Sequence, residues 1–226
     1  TKREINDVVA SEGFSKVRFK IVTLLTRLRQ LCISPRLLDE NYQEESVKIK
    51  RLLDIIKELI KDKHKILIFS SFKSAVYLVK EALDRESISN YVIDGSVKGR
   101  DRVAMVDAFN KDKTNCFLIT LKSGGTGLNL TSADVVIHLD IWWNPQAENQ
   151  ATDRAHRIGQ TKKVTVLKLI NKGTVEEKII ELQEKKKILS DNLIEGKNVA
   201  TLDTLTEEEL TNLLSIGYET DRNNDK

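Results

Sequence analysis

The sequence contains few of the residues that build disulfide frameworks and metal sites. Only two of its 226 residues are cysteine and three are histidine. Cys32 and Cys116 lie far apart in apolar surroundings without a Cys-x-x-Cys pair, which indicates free, buried thiols in a reducing compartment. His64, His138 and His156 show no metal-ligand spacing. We therefore expect neither a disulfide-stapled secreted domain nor a metal site.

Long apolar runs are also missing. No stretch approaches the ~20 apolar residues that a membrane-spanning helix needs, and the first residues contain no apolar region typical of a secretory signal. The chain starts at Thr1 without a methionine, so we expect it to be a segment of a longer protein. These absences predict no membrane partner and no secretion.

A third absence concerns nucleotide chemistry. The strand-like run 135–140 ends in Asp140 and is similar to the strand that carries the Mg²⁺-binding acid of a P-loop enzyme. Such an enzyme also needs the loop G-x-x-x-x-G-K-[ST], which occurs nowhere in the chain. The nearest dipeptide, Gly196-Lys197, is followed by Asn198. We therefore interpret Asp140 as a structural or inter-lobe residue, and the sequence argues against a stand-alone P-loop enzyme.

What the chain does contain is typical of a charged globular protein. Hydrophobic residues make up 40% of it and charged residues 31%, and its length allows one core with appendages. The formal net charge of +3 is unevenly distributed. Residues 201–226 hold seven acidic and two basic side chains, which leaves a net charge of +8 on the rest. A basic body suits a phosphate-rich partner, although an excess of this size proves nothing by itself.

Short apolar runs alternate with amphipathic helical stretches through the middle of the chain. The runs that indicate strands are residues 65–70, 90–93, 116–121, 134–139 and 163–170. The helical stretches between most of them lie near residues 73–86, 99–110 and 146–158. Continuous apolar strands separated by helices predict an α/β fold whose parallel β-sheet is flanked by helices on both faces.

Helical segments lie on both sides of this α/β region. Apolar spacing predicts helix over residues 4–33, Ser34-Pro35 interrupts it, and Ser46 is suited to cap the next helix. In the acidic tail, Thr206 and Glu209 form a capping box. We divide the chain into four parts: a helical segment (1–46), an α/β lobe (47–173), a long helix (174–196) and an acidic tail (197–226). The tail is expected to hold a short helix and a disordered end.

One segment, QATDRAHRIGQ at residues 150–160, carries the clearest functional signal. On a helix, Gln150, Arg154 and Arg157 would share one face. Two adjacent guanidiniums repel each other, whereas a triphosphate between them would match their planar forks. A solvated helix face is the usual alternative for such a charge pattern. A Trp-Trp-Asn-Pro turn just before the segment and a glycine cluster earlier in the chain favour the phosphate interpretation.

The segment resembles motif VI of the SWI/SNF family of ATP-dependent DNA translocases, within superfamily 2 of the helicases. The resemblance covers nearly the whole chain, in the family's order. Residues 65–72 are similar to motif IV, and residues 94–102 to the DNA-facing element after it. Residues 120–131 are similar to motif V, and residues 140–145 to the linker into motif VI. The segment that leads into the second motor lobe and the helix that braces the two lobes are similar to residues 24–30 and 174–189. The resemblance therefore implies a RecA-like lobe.

For ATP, the resemblance implies that Arg154 and Arg157 are arginine fingers, which reach the γ-phosphate of ATP held by a partner lobe. Gln150 would position the phosphate or the attacking water, although a hydrogen bond to the preceding loop explains it nearly as well. Gly125, Gly127 and Asn129 would approach the ATP ribose. Relatives in superfamily 2 often carry an acid at the position of Asn129, which weakens that assignment.

For DNA, the resemblance implies contacts with the phosphate backbone. A glycine cluster after a parallel strand can form an anion-binding nest, but a tight turn explains it equally well. A packing role for Trp143 is an open alternative to its facing the DNA groove. The implied DNA-binding residues are Ser70, Ser71, Gly95, Ser96, Arg102, Thr120, Lys122, Ser123, Gly124 and Trp143.

We therefore expect the C-terminal motor lobe of a SWI/SNF-type double-stranded DNA translocase that remodels protein–DNA complexes. ATP would be the cofactor, with Mg²⁺ held mainly by an N-terminal RecA-like lobe of the same protein. This chain alone would hydrolyse little or no ATP. A monomer in the cytoplasm, associated with a bacterial nucleoid, is expected, with the nucleus as the alternative. The competing hypothesis is a non-catalytic nucleic-acid or protein-binding module on the same fold.

Overall fold

The structure is a computed structural model, and it describes residues 14–124, 128–154, 162–192 and 206–214. Its strands are β1 (Ile66–Ser70), β2 (Asn90–Ile93), β3 (Cys116–Thr120), β4 (Val135–His138) and β5 (Thr165–Lys168). Its helices are α1 (Phe14–Ile33), α2 (Val47–Lys61), α3 (Lys73–Arg85), α4 (Gly99–Lys111), α5 (Leu121–Gly124), α6 (Pro145–Thr152), α7 (Val175–Asn192) and α8 (Glu207–Leu214). A 3₁₀ helix (Pro35–Leu37) links α1 to α2.

The five strands form one parallel sheet in the order β2-β3-β1-β4-β5. The three central strands are buried throughout and mostly apolar because helices cover both faces of the sheet. Ile66 and Ile68 of β1 belong to a core shared with α2 and α3. Leu67 and Phe69 of the same strand belong to a second core, shared with α4 and α6. The predicted α/β fold with a parallel sheet and helices on both faces is confirmed.

A third apolar cluster attaches α1, α7 and α8 beside the sheet. It includes Leu25 of α1, Ile179 of α7 and Leu210 of α8, together with Ile141 and Trp143 from the turn after β4. A buried ion pair adds to this attachment, because Lys48 of α2 lies 2.5 Å from a carboxylate oxygen of Glu176 in α7. None of the helices in the described ranges is long and apolar enough to cross a membrane.

The local signals for helix ends are largely confirmed. The Ser46 side chain accepts a hydrogen bond from the backbone N–H of Ile49 at the start of α2. Thr206 and Glu209 form the predicted reciprocal capping box before α8. Ser34 ends α1 as predicted, while the beginning of the predicted helix over residues 4–33 lies outside the described ranges.

The predicted helix near residues 146–158 is confirmed as far as Thr152, and its part after Arg154 lies outside the described ranges. Asn144 caps α6 by accepting a hydrogen bond from Gln146 N–H, but the helix stops at Thr152. Arg154 lies beyond it, where its backbone carbonyl accepts a hydrogen bond from Leu130 N–H at 3.0 Å. At Arg154 the backbone therefore pairs with the segment before β4. Arg154 lies two residues past the end of the helix that carries Gln150.

Candidate nucleotide and DNA interface

Most of the predicted site residues lie at one edge of the sheet, where the parallel strands end. Ser70 ends β1, Thr120 ends β3, Asp94 follows β2 and Asp140 follows β4. Ligands of open parallel sheets bind at this carboxyl edge, because loops and helix N-termini converge there. The segments similar to motifs IV and V, the DNA-facing element and the linker into motif VI therefore meet at this edge.

Asp140 is the centre of a buried polar network at the ends of β1 and β4. Its carboxylate, only 1% exposed, accepts hydrogen bonds from the Ser70 hydroxyl at 2.6 Å and from the Ser71 backbone N–H at 2.9 Å. It also forms a 2.6 Å ion pair with Arg29. These contacts support the structural alternative in the interpretation of Asp140 as a structural or inter-lobe residue. The Ser70 hydroxyl is buried and bonded to Asp140, whereas Ser71 is only half-buried. The phosphate contacts of both serines stay predictions.

Arg29 of α1 is a buried charged residue of this edge that the sequence analysis did not single out. Its guanidinium donates hydrogen bonds to the Ile141 carbonyl, the Ser71 hydroxyl and the Asp140 carboxylate. Burial lowers the pKa of Arg29, and the Asp140 carboxylate opposes that shift. The residue is 1% exposed. The sequence signal for Arg29 was its place on the apolar face of a predicted helix, which indicates burial but does not identify its partner.

Aromatic rings complete the surroundings of Arg29. The ring centroids of Phe72, Trp142 and Trp143 lie 5.0, 4.9 and 5.3 Å from its guanidinium carbon. Trp143 is 3% exposed and belongs to the third apolar cluster. This burial supports the packing alternative for Trp143, and its contact with the DNA groove stays a prediction. Its neighbour Trp142 is partly buried.

Asp94 organises the part of the edge that follows β2. One carboxylate oxygen accepts hydrogen bonds from the backbone N–H and the hydroxyl of Ser96. The other lies 2.8 Å from the ammonium of Lys73 and accepts a hydrogen bond from the Tyr77 hydroxyl at 3.1 Å. The hydrogen bonds from Lys73 and Ser96 hold the pKa of Asp94 well below its usual range. A charged carboxylate therefore fixes the polar groups of this loop.

Four cations lie in or beside the segment 94–102. Arg102 donates hydrogen bonds from its guanidinium to the carbonyls of Asp94 and Val97, each at 3.3 Å, and is only half-buried. Gly95 and Ser96 are exposed. The exposed cations near them are Lys73, Lys98 and Arg100. The predicted DNA-facing residues Gly95, Ser96 and Arg102 thus remain together on an accessible, basic surface.

The segment similar to motif V begins with a tight turn from β3 into α5. The hydroxyls of Thr120 and Ser123 are buried and hydrogen-bonded to each other at 2.9 Å, while Lys122 is exposed. At Gly124 an added Cβ would lie 2.9 Å from the Phe69 ring, so only glycine fits this approach. Lys122 is therefore the accessible cation of the turn. Gly125 and Gly127, predicted to approach ATP, lie outside the described residues.

The far end of this segment adjoins Arg154. Asn129 is exposed, and its backbone carbonyl accepts a hydrogen bond from the Asn110 side chain at 2.8 Å. The next residue, Leu130, donates its N–H to the Arg154 carbonyl. The structure thus brings together Asn129 and Arg154, which are predicted to contact the same nucleotide. The sequence pattern did not predict this hydrogen bond between the two segments.

The three residues predicted to act on the γ-phosphate have different surroundings. Gln150 is exposed on α6. Arg154 is 8% exposed, so its side chain lies largely within this lobe. Arg157 lies outside the described ranges. The buried Glu148 holds the start of α6 by accepting hydrogen bonds from Trp142 N–H and from the Lys168 ammonium.

The cysteines and histidines of the described ranges are structural. Cys116 is a free thiol whose pKa burial raises to about 12, and Cys32 is free and half-buried. Burial lowers the pKa of His138, whose ring stacks on Phe69 at a centroid distance of 5.8 Å. Within the parts of the chain that the structure describes, no group of three or more His, Cys, Asp or Glu residues could hold a metal ion.

Comparison with known proteins adds a family to this geometry. The family described as "Helicase conserved C-terminal domain" matches residues 47–159. The chain is 42% identical over 200 residues to a protein of Mycoplasma pneumoniae named "Uncharacterized ATP-dependent helicase", covering 88% of the chain and 19% of that protein. It is 36% identical over 213 residues to the CHD3-type chromatin-remodeling factor CHR7 of Arabidopsis thaliana, covering 88% of the chain and 17% of that protein.

A solved structure shows the same fold. The Sulfolobus solfataricus SWI2/SNF2 ATPase core in complex with dsDNA superposes with a TM-score of 0.75 at 32% identity. The match covers 96% of this chain and 46% of that core. The chain spans only about a fifth of the length of the curated relatives that it matches.

Proposed function

This chain belongs to the helicase conserved C-terminal domain family, with SWI/SNF-type ATP-dependent helicases as its relatives, and we propose that it is the second motor lobe of a double-stranded DNA translocase. The bond between Leu130 N–H and the Arg154 carbonyl is the observation that carries this proposal. It joins the end of the segment that starts at the basic sheet edge to the segment that holds the predicted arginine fingers. A lobe that couples DNA to ATP needs such a connection.

In this proposal the basic sheet edge contacts the DNA backbone through Gly95, Ser96, Arg102, Lys122 and the half-buried Ser71. The buried hydroxyls of Ser70, Thr120 and Ser123 and the ring of Trp143 support that edge from within. Contact with phosphates and not with base edges makes binding independent of sequence and sensitive to salt. A structural neighbour that holds dsDNA supports this assignment.

ATP would lie between this lobe and an N-terminal RecA-like lobe of the same protein. Arg154 and Arg157 would stabilise the charge that develops on the γ-phosphate, Gln150 would orient the phosphate or the water, and Asn129 with Gly125 and Gly127 would approach the ribose. Mg²⁺ would be held mainly by the other lobe. The absence of the loop G-x-x-x-x-G-K-[ST] from the sequence supports an N-terminal lobe as the main nucleotide site. We place the whole protein, as a monomer, on a bacterial nucleoid or in a nucleus, since relatives come from both kinds of organism.

The test joins this lobe to its N-terminal partner and measures DNA-stimulated ATP hydrolysis. Arginine fingers contribute about 10³–10⁵ in rate, so Arg157→Ala should lower kcat by at least about 10³ while ATP binding changes little. Arg36→Ala is the matched control, because Arg36 forms an exposed ion pair with Glu81 far from the carboxyl edge. A kcat for Arg157→Ala within a few-fold of the parent would refute the finger assignment.

The alternative is a non-catalytic nucleic-acid or protein-binding module. It predicts that the joined protein binds DNA but that DNA does not stimulate ATP hydrolysis. The same assay therefore separates the two functions, because a translocase lobe requires the stimulation and a binding module does not.

A further inference from the structure

Lys73 has an unusual position for an exposed lysine. Its side chain is 60% exposed, yet its ammonium lies 2.8 Å from a carboxylate that is completely buried. Exposed lysines usually keep many rotamers, and holding one in place costs side-chain entropy. The contact with Asp94 therefore fixes the direction in which Lys73 presents its charge.

Tyr77 adds to this arrangement from the same helix. It lies one turn after Lys73 on α3 and donates its hydroxyl to the same Asp94 oxygen at 3.1 Å. The Lys73 ammonium also lies 5.6 Å from the centroid of the Tyr77 ring. The other Asp94 oxygen is occupied by Ser96. Asp94 therefore has partners at both oxygens, and Lys73 is the one of them that carries a charge outward.

The strand order shows where this ammonium lies. Lys73 begins the helix that follows β1, whereas Asp94 follows β2, and β3 separates these two strands. The ion pair therefore spans the end of β3, where Thr120 leads into the turn that carries the exposed Lys122. The ammonium consequently lies between the segments similar to motifs IV and V and the DNA-facing loop.

We propose that Lys73 is a further DNA-phosphate contact of this lobe and that Asp94 and Tyr77 are the positioning residues that aim it. The inference rests on the proposed function, because it takes double-stranded DNA as the ligand of the basic edge. Lys73 supplies one of the cations that replace condensed counterions on the duplex. Asp94 offsets part of its charge but fixes the ammonium at the point where three DNA-facing segments meet.

The experiment measures binding of this chain to a fluorescent duplex of about 20 base pairs as salt is raised from about 20 to 150 mM. Each phosphate contact contributes about 0.9 to the slope of log K against log salt. Lys73→Gln should lower that slope by about one and weaken binding about tenfold near 0.1 M salt, equally for duplexes of different sequence. Lys73→Arg should restore the slope because it retains the charge.

Lys80→Gln is the matched control. Lys80 lies on the same helix, has a side chain that is 41% exposed, and pairs with Asp84 one turn later, away from the carboxyl edge. Its replacement should leave the slope unchanged. If Lys73→Gln and Lys80→Gln both retain the parent slope, the assignment of Lys73 is overturned while the proposed function stands. If the parent chain shows no salt-dependent binding to the duplex, the DNA-facing edge of the proposed function fails instead.

A second variant tests the positioning role separately. Asp94→Asn leaves Lys73 charged but weakens the contact that holds it, so affinity at fixed salt should fall while the slope stays the same. Circular dichroism checks that the variant folds, since Asp94 is buried. Tighter binding by Asp94→Asn would mean that the carboxylate only repels DNA, and it would overturn the positioning role.

Discussion

Replacing Arg29 with methionine removes the guanidinium that joins α1 to the ends of β1 and β4. Methionine retains a long, apolar side chain among the rings of Phe72, Trp142 and Trp143, so the packing volume changes little. The change instead deletes an ion pair at 2.6 Å and two hydrogen bonds to neutral acceptors. The perturbation is therefore mainly electrostatic.

The expected cost follows from what remains behind. Asp140 is 1% exposed and would keep only the Ser70 hydroxyl and the Ser71 N–H as partners. Removing one member of a buried ion pair costs about 3–5 kcal/mol, since the other charge stays buried without compensation. We expect Arg29→Met to lower the free energy of unfolding by that amount. Arg29→Lys should cost less, because the ammonium retains the positive charge. It should still cost something, since an ammonium cannot reproduce all three hydrogen bonds of the guanidinium.

Urea unfolding followed by tryptophan fluorescence and circular dichroism measures the effect. Both tryptophans of the chain lie beside Arg29, so their emission also reports local rearrangement at this site. Arg36→Met is the control, because the exposed Arg36–Glu81 pair should contribute at most about 1 kcal/mol. A double variant with Asp140→Asn should recover part of the loss, since no buried charge then remains. The reasoning is refuted if Arg29→Met costs no more than Arg36→Met.

Two other substitutions test the carboxyl edge. Gly124→Ala should lower the free energy of unfolding by about 1–3 kcal/mol, because the added Cβ overpacks against the Phe69 ring. Gly99→Ala is the control, since its added Cβ meets nothing within 4 Å, and it should lower the free energy of unfolding by much less. Equal losses in the two variants would contradict the close approach at Gly124. The pKa of Asp94 is lowered in the folded chain, so its carboxylate stabilises the fold above the unfolded pKa of about 4 and that stabilisation is lost as the pH falls through the folded value. Asp94→Asn should therefore be less stable than the parent near pH 6, with a difference that shrinks below about pH 4; a melting-temperature difference independent of pH would contradict this assignment.

The sheet could be predicted because its signal is local. Each strand is a short apolar run between polar turns, and the observed strands lie within two residues of every predicted end. Ser46 and Thr206 succeeded as caps for the same reason, since a cap depends only on residues within one helical turn. Continuous burial of β1, β3 and β4 follows from their place inside the sheet.

The buried network could not be predicted because it depends on contacts between distant parts of the chain. Arg29 and Asp140 are 111 residues apart, and no pattern in either segment identifies the partner. The Ser70 hydroxyl was assigned to phosphate because serine at a strand end suits that role, but the neighbouring carboxylate competes for it. Trp143 was similarly placed by resemblance, whereas its burial depends on α1, α7 and α8 packing beside the sheet.

The end of α6 at Thr152 changes how the proposed fingers would respond to DNA. If Arg154 were inside a helix, its position would be set by α6 alone. Instead its carbonyl binds Leu130 N–H, and the start of α6 is fixed through Glu148 to the Trp142 backbone and to Lys168 at the end of β5. Arg154 is therefore positioned jointly by the segment similar to motif V and by the carboxyl edge of the sheet. A displacement of that segment by DNA would act directly on the backbone of Arg154, and it would not need to pass through the interior of the sheet.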